Sequence, residues 1–455
     1  MVFDIKSTIS VLSKHSRFQR KGGNMNSVSD LVDHVRTAST RFVPPVQSLL
    51  DIDFYKFTMG QAIYDEYNDV EVVFKLIVRD QNIPVGRIVP EHELRQSLDH
   101  ARSLMLRPTD LYYLRGMNLY QNNMFNESYL GFLREFRLPP YVLKYDGDNI
   151  ELTFRGRWCE VTMWETIALA IVSELYYRAL MKGMSALELQ ILYGRAISKI
   201  AEKFEKLLHH PRIRFADFGQ RRRHSFLWQE WVIGAATELM GKQFVGASNT
   251  WMAFHHDLSP IGTNAHEMPM VVVALAPDNE KITAQYEVLR AWQGTYGQGL
   301  QICLPDTYGT EQFFRNAPHW VSDWKGFRQD SGDPVTQIRR YIDWLKGRYI
   351  DPKTKLAIPS DGLDVDTMIE IDNAVGDEVG LSFGWGSLLT NDFRDCHPNP
   401  LFRPFSMVCK VVEANGRPCV KLSDNIGKAT GPAEEIARYV DIFGSKGRID
   451  QEVVV

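Results

Sequence analysis

The chain has 455 residues, enough for about three domains, and at 44% hydrophobic and 24% charged it excludes wholesale disorder and fibrous repeats. Its 52 Lys and Arg against 56 Asp and Glu give a formal charge of −4 with no block of like sign, which argues against a dedicated nucleic-acid binder. The longest apolar run, 268–276, contains Pro269 and falls far short of the about 20 residues that span a bilayer, so no membrane association is expected.

Residues 1–41 are polar, carry scattered Lys and Arg and have no apolar h-region, so they do not read as a secretory signal. Residues 1–45 are expected to be a polar extension ending at Pro44-Pro45. Phe54, Phe57, Met59, Ala62 and Ile63 are spaced for one face of a helix, and the β-branched run 70–78 predicts a strand. Segments 141–145 and 150–155 flank Asp146-Gly147-Asp148, the chemistry of a tight hairpin turn. A long apolar helix is expected from Val161 through Leu175. A second opens with the capping box Ser185-x-x-Glu188, buries Leu189, Leu192, Ala196, Ile200, Phe204 and Leu207, and stops before Pro211.

After Pro211 short apolar segments alternate with helical stretches. They lie at 213–218, 243–247, 260–263, 300–304, 326–330, an ill-defined stretch before Asp361, and 379–383. About seven such units in roughly 200 residues predict a parallel α/β barrel, with its chemistry in the loops after the strands. The five cysteines are an odd number without a Cys-x-x-Cys pair, which speaks against metal ribbons and disulfide frameworks and fits a reducing cytoplasm.

Those loops hold the unusual residues. Phe218-Gly219-Gln220-Arg221-Arg222-Arg223-His224 concentrates permanent positive charge, as a carboxylate or phosphate site or as a solvated loop paired to acids elsewhere. In Gly262-Thr263-Asn264-Ala265-His266-Glu267 a histidine beside a carboxylate suits a nucleophile or acid/base, though lone histidines are often structural and this is no zinc motif. His255-His256-Asp257 reads as a surface cluster. Arg328-Gln329-Asp330-Ser331-Gly332-Asp333 offers what a phosphorylated, polyhydroxylated ligand needs, or simply a helix cap. Phe383-Gly384-Trp385-Gly386-Ser387 lets backbone N–H groups approach a phosphate. Asp306-Thr307-Tyr308 and Asp361-Gly362-Leu363-Asp364 add carboxylates on the same expected face. Together the motifs describe transfer of a phosphorylated sugar. A barrel that only binds phosphosugars or RNA is the reading from another class.

These motifs, with Leu49-Leu50-Asp51-Ile52-Asp53-Phe54-Tyr55-Lys56 ahead of them, occur in an order that resembles the bacterial-type nicotinate phosphoribosyltransferases of NAD salvage over roughly residues 48–431. Some elements are also similar to nicotinamide phosphoribosyltransferase, a sister family. The resemblance implies an irregular α/β barrel, 161–419, carrying the active site. It also implies an N-terminal α/β domain, 46–160, completed by about 420–455, and a cytoplasmic homodimer whose sites are finished across the interface. The implied ligase-type reaction joins nicotinate to phosphoribosyl pyrophosphate with Mg²⁺ and ATP as co-substrate. By resemblance His266 is the histidine phosphorylated by ATP. Tyr55 and Phe218 sandwich the pyridine ring, one from each subunit, and Thr263, Arg221 and Arg328 contact nicotinate. Asp330 and Asp361 are ribose or Mg²⁺-side carboxylates, and Gly384, Gly386 and Ser387 cradle the 5′-phosphate. Ser387 replaces a more usual Thr, and Trp385 is bulkier than the usual aliphatic residue. The excess of arginine favours nicotinate over nicotinamide.

Overall fold

The computed structural model describes residues 27–80, 82–119 and 122–451. Three strands of the large antiparallel sheet come first: β1 (Glu71–Val78), β2 (Tyr141–Asp146) and β3 (Asn149–Arg157), with a small separate pair at 118–119 and 122–123 between β1 and β2. Seven parallel strands follow as β4 (Phe215–Asp217), β5 (Phe244–Ala247), β6 (Ile302–Cys303), β7 (Gly326–Gln329), β8 (Leu356–Pro359), β9 (Gly380–Leu381) and β10 (Phe383–Trp385). Then come β11 (Met407–Ala414) and β12 (Arg417–Pro418).

The β-branched run forms β1 at the centre of a five-stranded sheet, in the order β12-β11-β1-β3-β2. Phe74 of β1 faces Phe154 on one side and Val411 on the other, so large apolar groups fill the middle of the sheet. The hairpin turns at Gly147, whose φ of +57° is the conformation the sequence anticipates. The sheet is completed by 407–418, earlier than the expected 420–455. That later segment instead runs back over the mouth of the parallel strands, where Leu422 N–H donates to Thr307 O at 2.8 Å.

The extension also differs from expectation. Ser27 caps α1 (Val28–Ala38), which buries Leu31, Val32 and Val35; residues 1–26 lie outside the described residues. The acidic and basic residues that make 27–38 look polar sit on its outer face, and three apolar positions on the inner face suffice to dock it. Tyr55–Glu66 forms α2, as its apolar spacing predicts. The long apolar helix is split: a turn at Trp158–Val161 precedes α3 (Trp164–Met181), which is buried on almost every face. The capping box opens α4 (Ala186–Leu208), and the apolar positions named for it are all buried.

The parallel strands form two sheets, β9-β8-β7-β6 and β10-β4-β5. Only Ser382 separates β9 from β10. On the other side Ala247 makes a parallel bridge to Pro260, and Asn264 Nδ2 donates to Ile302 O at 3.3 Å. The strand expected at 260–263 shrinks to that bridge because Pro260 has no N–H to donate to a ladder. The result is an irregular α/β barrel with an interrupted hydrogen-bond ladder. All its C-terminal strand ends open toward the face covered by β1 and β11. Every cysteine is free and buried, and no described helix is long and apolar enough to cross a membrane.

Candidate active site

Loops after the parallel strands and the underside of the β1–β11 sheet enclose two adjoining cavities. The first is lined by Tyr55, Phe218, Arg221, Thr263, His266, Arg328 and Asp330, among others. The second shares Phe218, Arg221, Arg328 and Asp330 and adds Asp361, Gly386 and Ser387. Segments hundreds of positions apart thus converge, as the motifs require.

Two glycines seat the aromatic walls. A Cβ on Gly384 would lie 2.4 Å from the Phe218 ring, and one on Gly262 would lie 2.9 Å from the Tyr55 backbone nitrogen. Gly384 therefore lines neither cavity. It sits within β10, paired to Ala216, and its missing side chain is the seat of Phe218. Gly384→Ala is expected to push Phe218 into the cavity and cost about 1–3 kcal/mol of stability by overpacking. A thermal melt and the affinity for the aromatic substrate would measure it, and an unchanged pair of values would refute it. Tyr55 and Phe218 line the same cavity.

His266 is 3% exposed and lies at the head of α5 (Glu267–Leu275). Its Nδ1 meets Thr307 Oγ1 at 2.9 Å, and its Nε2 meets Asp330 Oδ2 at 2.9 Å and Lys421 Nζ at 3.0 Å. Burial pushes its pKa down to about 4 despite Asp306 and Asp330, so the imidazole is neutral at ordinary pH. His266, Asp306 and Asp330 bring ligand atoms within 4.8 Å of one another. Lys421 Nζ, 3.3 Å from Asp306 Oδ2, already supplies the positive charge there, so this is a hydrogen-bonded cluster rather than a metal cage. Asp330 Oδ1 accepts from Arg328 at 2.9 Å and from Ser360 at 3.1 Å. Burial alone would raise the Asp330 pKa, but Arg328, His266 and Lys421 hold it well below the usual carboxylate range.

The arginine triplet divides by role. Arg223 is fully buried, donates twice to Asp51 at 2.7 and 2.8 Å and once to Pro45 O at 3.1 Å, and ties the chain before α2 to the barrel. Arg221 faces both cavities and stands 3.8 Å from Glu165. Arg222 lines the second cavity, where burial and the nearby Arg221 and Arg79 push its pKa down. A cation so crowded by cations is short of negative charge.

Sequence reasoning assigned no role to several lining residues. Arg79, Lys410, Lys421 and Lys428 join the second cavity, and Lys428 pairs with Asp361. Asp53, Glu165 and Glu267 join the first. Behind it, buried Lys56 holds Glu165 at 2.6 Å and Glu267 at 2.5 Å, and Tyr55 OH donates to Glu165 at 3.0 Å. The available signal was a lone Lys within an apolar strand or helix, as at Lys410 and Lys56.

An aromatic, cationic slot that opens into a polycationic one suits a planar acid beside a phosphorylated sugar. The model of the nicotinate phosphoribosyltransferase (NAPRTase) family matches residues 213–446, and the model of its N-terminal domain matches 50–173. The chain belongs to the nicotinate phosphoribosyltransferase family. A solved nicotinate phosphoribosyltransferase from Vibrio cholerae is 30% identical, covering 91% of this chain and 96% of its own, with a TM-score of 0.80. One from Porphyromonas gingivalis is 29% identical, covering 88% and 100%, with a TM-score of 0.76. The family's substrates are nicotinate and phosphoribosyl pyrophosphate, joined into nicotinate mononucleotide in NAD salvage.

Proposed function

We propose that the chain makes nicotinate mononucleotide with release of pyrophosphate and couples that reaction to ATP hydrolysis through phosphorylation of His266. The observation that carries this reading is the shared wall of the two cavities: Phe218, Arg221, Arg328 and Asp330 belong to both, and His266 hydrogen-bonds Asp330 from the side. The pyridine ring lies between Tyr55 and Phe218, where offset stacking adds about 0.5–1.5 kcal/mol beyond burial. Arg221 and Arg328 answer its carboxylate, with Thr263 beside it. The 5′-phosphate takes Gly386 and Ser387, the diphosphate takes Arg222, Lys421 and Lys428, and the ribose hydroxyls donate to Asp330 and Asp361.

As the C1–O bond breaks, its electron pair leaves with the diphosphate and the ribose becomes oxocarbenium-like. Asp330 and Asp361 then stabilise the developing cation while the surrounding ammonium and guanidinium groups receive the anion. The ring nitrogen of nicotinate attacks with a free lone pair, so no general base is required.

Mg²⁺ fits this donor set only in part. Asp330 and Asp361 offer hard oxygens, but each is already answered by a cation, so the ion would be held chiefly by the diphosphate. When bound it would neutralise leaving-group charge. Homodimerisation is proposed on the resemblance alone.

Purified protein with Mg²⁺ and both substrates should form nicotinate mononucleotide, faster with ATP; no product would overturn the reading. Comparing kcat/KM for the two bases should favour nicotinate, and a preference for nicotinamide would move the chain to the sister specificity. Arg328→Ala is expected to weaken nicotinate binding by more than about 1.5 kcal/mol, the worth of a charged hydrogen bond. Equal affinity in a binding titration would remove Arg328 from the contact.

A further inference from the structure

Lys410 is the centre of an otherwise mostly apolar strand, β11, and its side chain lines both cavities. The other cations of the second cavity have answering groups. Arg79 donates to Lys428 O at 3.2 Å, Arg222 Nε donates to Met407 O at 3.0 Å, and Arg328 pairs with Asp330 at 2.9 Å. Arg221 stands near Glu165, Lys421 pairs with Asp306, and Lys428 pairs with Asp361. Among the described residues, the Lys410 ammonium has neither a hydrogen bond nor an ion pair.

A flexible lysine could turn to bulk water, but this one is rooted in β11, beside the central strand of its sheet, and projects into a cleft. The charges facing it are Lys421 from the C-terminal loop, Arg79 beyond β1, Arg221 after β4, and Glu165 at the start of α3. Arg222, Arg328 and Asp330 share the cavity walls with it. Cations outnumber the acids around it, and among the described residues no hydrogen bond or ion pair takes its charge.

We infer that Lys410 is a substrate-contacting residue at the seam of the two cavities, where it binds the diphosphate beside the carbon that nicotinate attacks. The inference rests on the reading of the cavities given above. Burial and the nearby Lys421, Arg79 and Arg221 push the Lys410 ammonium down to about 7, against Glu165. An arriving polyanion reverses that, because it favours the charged form. Binding therefore takes up a proton near and above neutrality, and the contribution of Lys410 weakens as pH rises through its free value.

The test is calorimetric titration of the full chain with inorganic pyrophosphate at about pH 6 and about pH 8.5, on either side of that value. Lys410→Met should weaken binding about tenfold or more at the lower pH, and by a smaller factor at the higher one. Lys410→Arg, which stays charged, should keep affinity at the lower pH and exceed the parent at the higher. Lys410→Met affinity within about twofold of the parent at the lower pH, or a ratio that does not change with pH, would overturn the inference. The pH response of pyrophosphate itself cancels in each ratio, and equal thermal melts exclude a folding defect. Nicotinate mononucleotide formation by the parent tests the cavity reading separately; the titration judges Lys410 whichever way that falls.

Discussion

Asp330→Ala is expected to lower kcat/KM for nicotinate by at least about a hundredfold, the scale set by breaking a largely buried, charged pair from one side. The carboxylate is the one group that touches Arg328, Ser360 and His266 together, at 2.9, 3.1 and 2.9 Å. Its removal would leave Arg328 free to swing toward the diphosphate side and leave Lys421, at 3.0 Å, as the remaining hydrogen-bond partner of His266 Nε2. Because its pKa is held well below the ordinary value, Asp330 stays charged throughout the working pH range of the parent, so its contribution should not vanish in mild acid. Asp330→Asn preserves shape but turns one oxygen into a donor facing donors, and is expected to lose nearly as much. Steady-state kinetics with a parallel thermal melt would check this. A folded Asp330→Asn variant within about fivefold of the parent would show that the carboxylate neither holds Arg328 nor meets the sugar.

Elements whose pattern and punctuation agree could be read from the residues alone. The capping box at Ser185 and the Asp-Gly-Asp turn each carry a local reason for their conformation, and the structure places both accordingly; α2 forms where its spacing predicts but buries the whole run 56–63 rather than one face. Elements decided by distant partners could not. Nothing local distinguishes Arg223, which Asp51 and Pro45 pull into the core, from its neighbours Arg221 and Arg222, which stay in the cleft. Gly384 belongs to a phosphate-cradle motif by sequence, yet the space beside it is taken by Phe218, a contact between residues far apart in the chain. The four cations Arg79, Lys410, Lys421 and Lys428 were silent for the same reason. They come from β11, the end of β1 and a returning loop whose position over the barrel mouth is set by β1–β11 pairing, not by any local motif.

Replacing His266 by asparagine should abolish the stimulation by ATP and leave a slow, ATP-independent reaction. Asparagine preserves a polar group that can hydrogen-bond Thr307, but its amide nitrogen has no available lone pair to attack phosphorus. On the proposed coupling, the neutral imidazole of the parent would attack the γ-phosphorus, the bond to ADP would break, and the ring's other nitrogen would release its proton. Thr307 and Asp330 lie on opposite nitrogens, so whichever one reacts, a hydrogen-bonding group holds the other. A phosphoryl group there brings about −1.5 to −2 charge next to Lys421, enough for one to three new charged hydrogen bonds. Losing even one of them costs about 1.5–3 kcal/mol, so the ATP-dependent gain in substrate affinity should fall by about tenfold or more. The neutral form persists down to about pH 4, so coupling should survive mild acidity and fade only as the ring protonates through that value. Label from γ-³²P ATP, retained in alkali and released in acid, should appear on the parent and be absent from His266→Asn. Coupling or labelling that persists unchanged in the variant would take His266 out of the phosphoryl path while leaving the glycosyl transfer at Asp330 untouched.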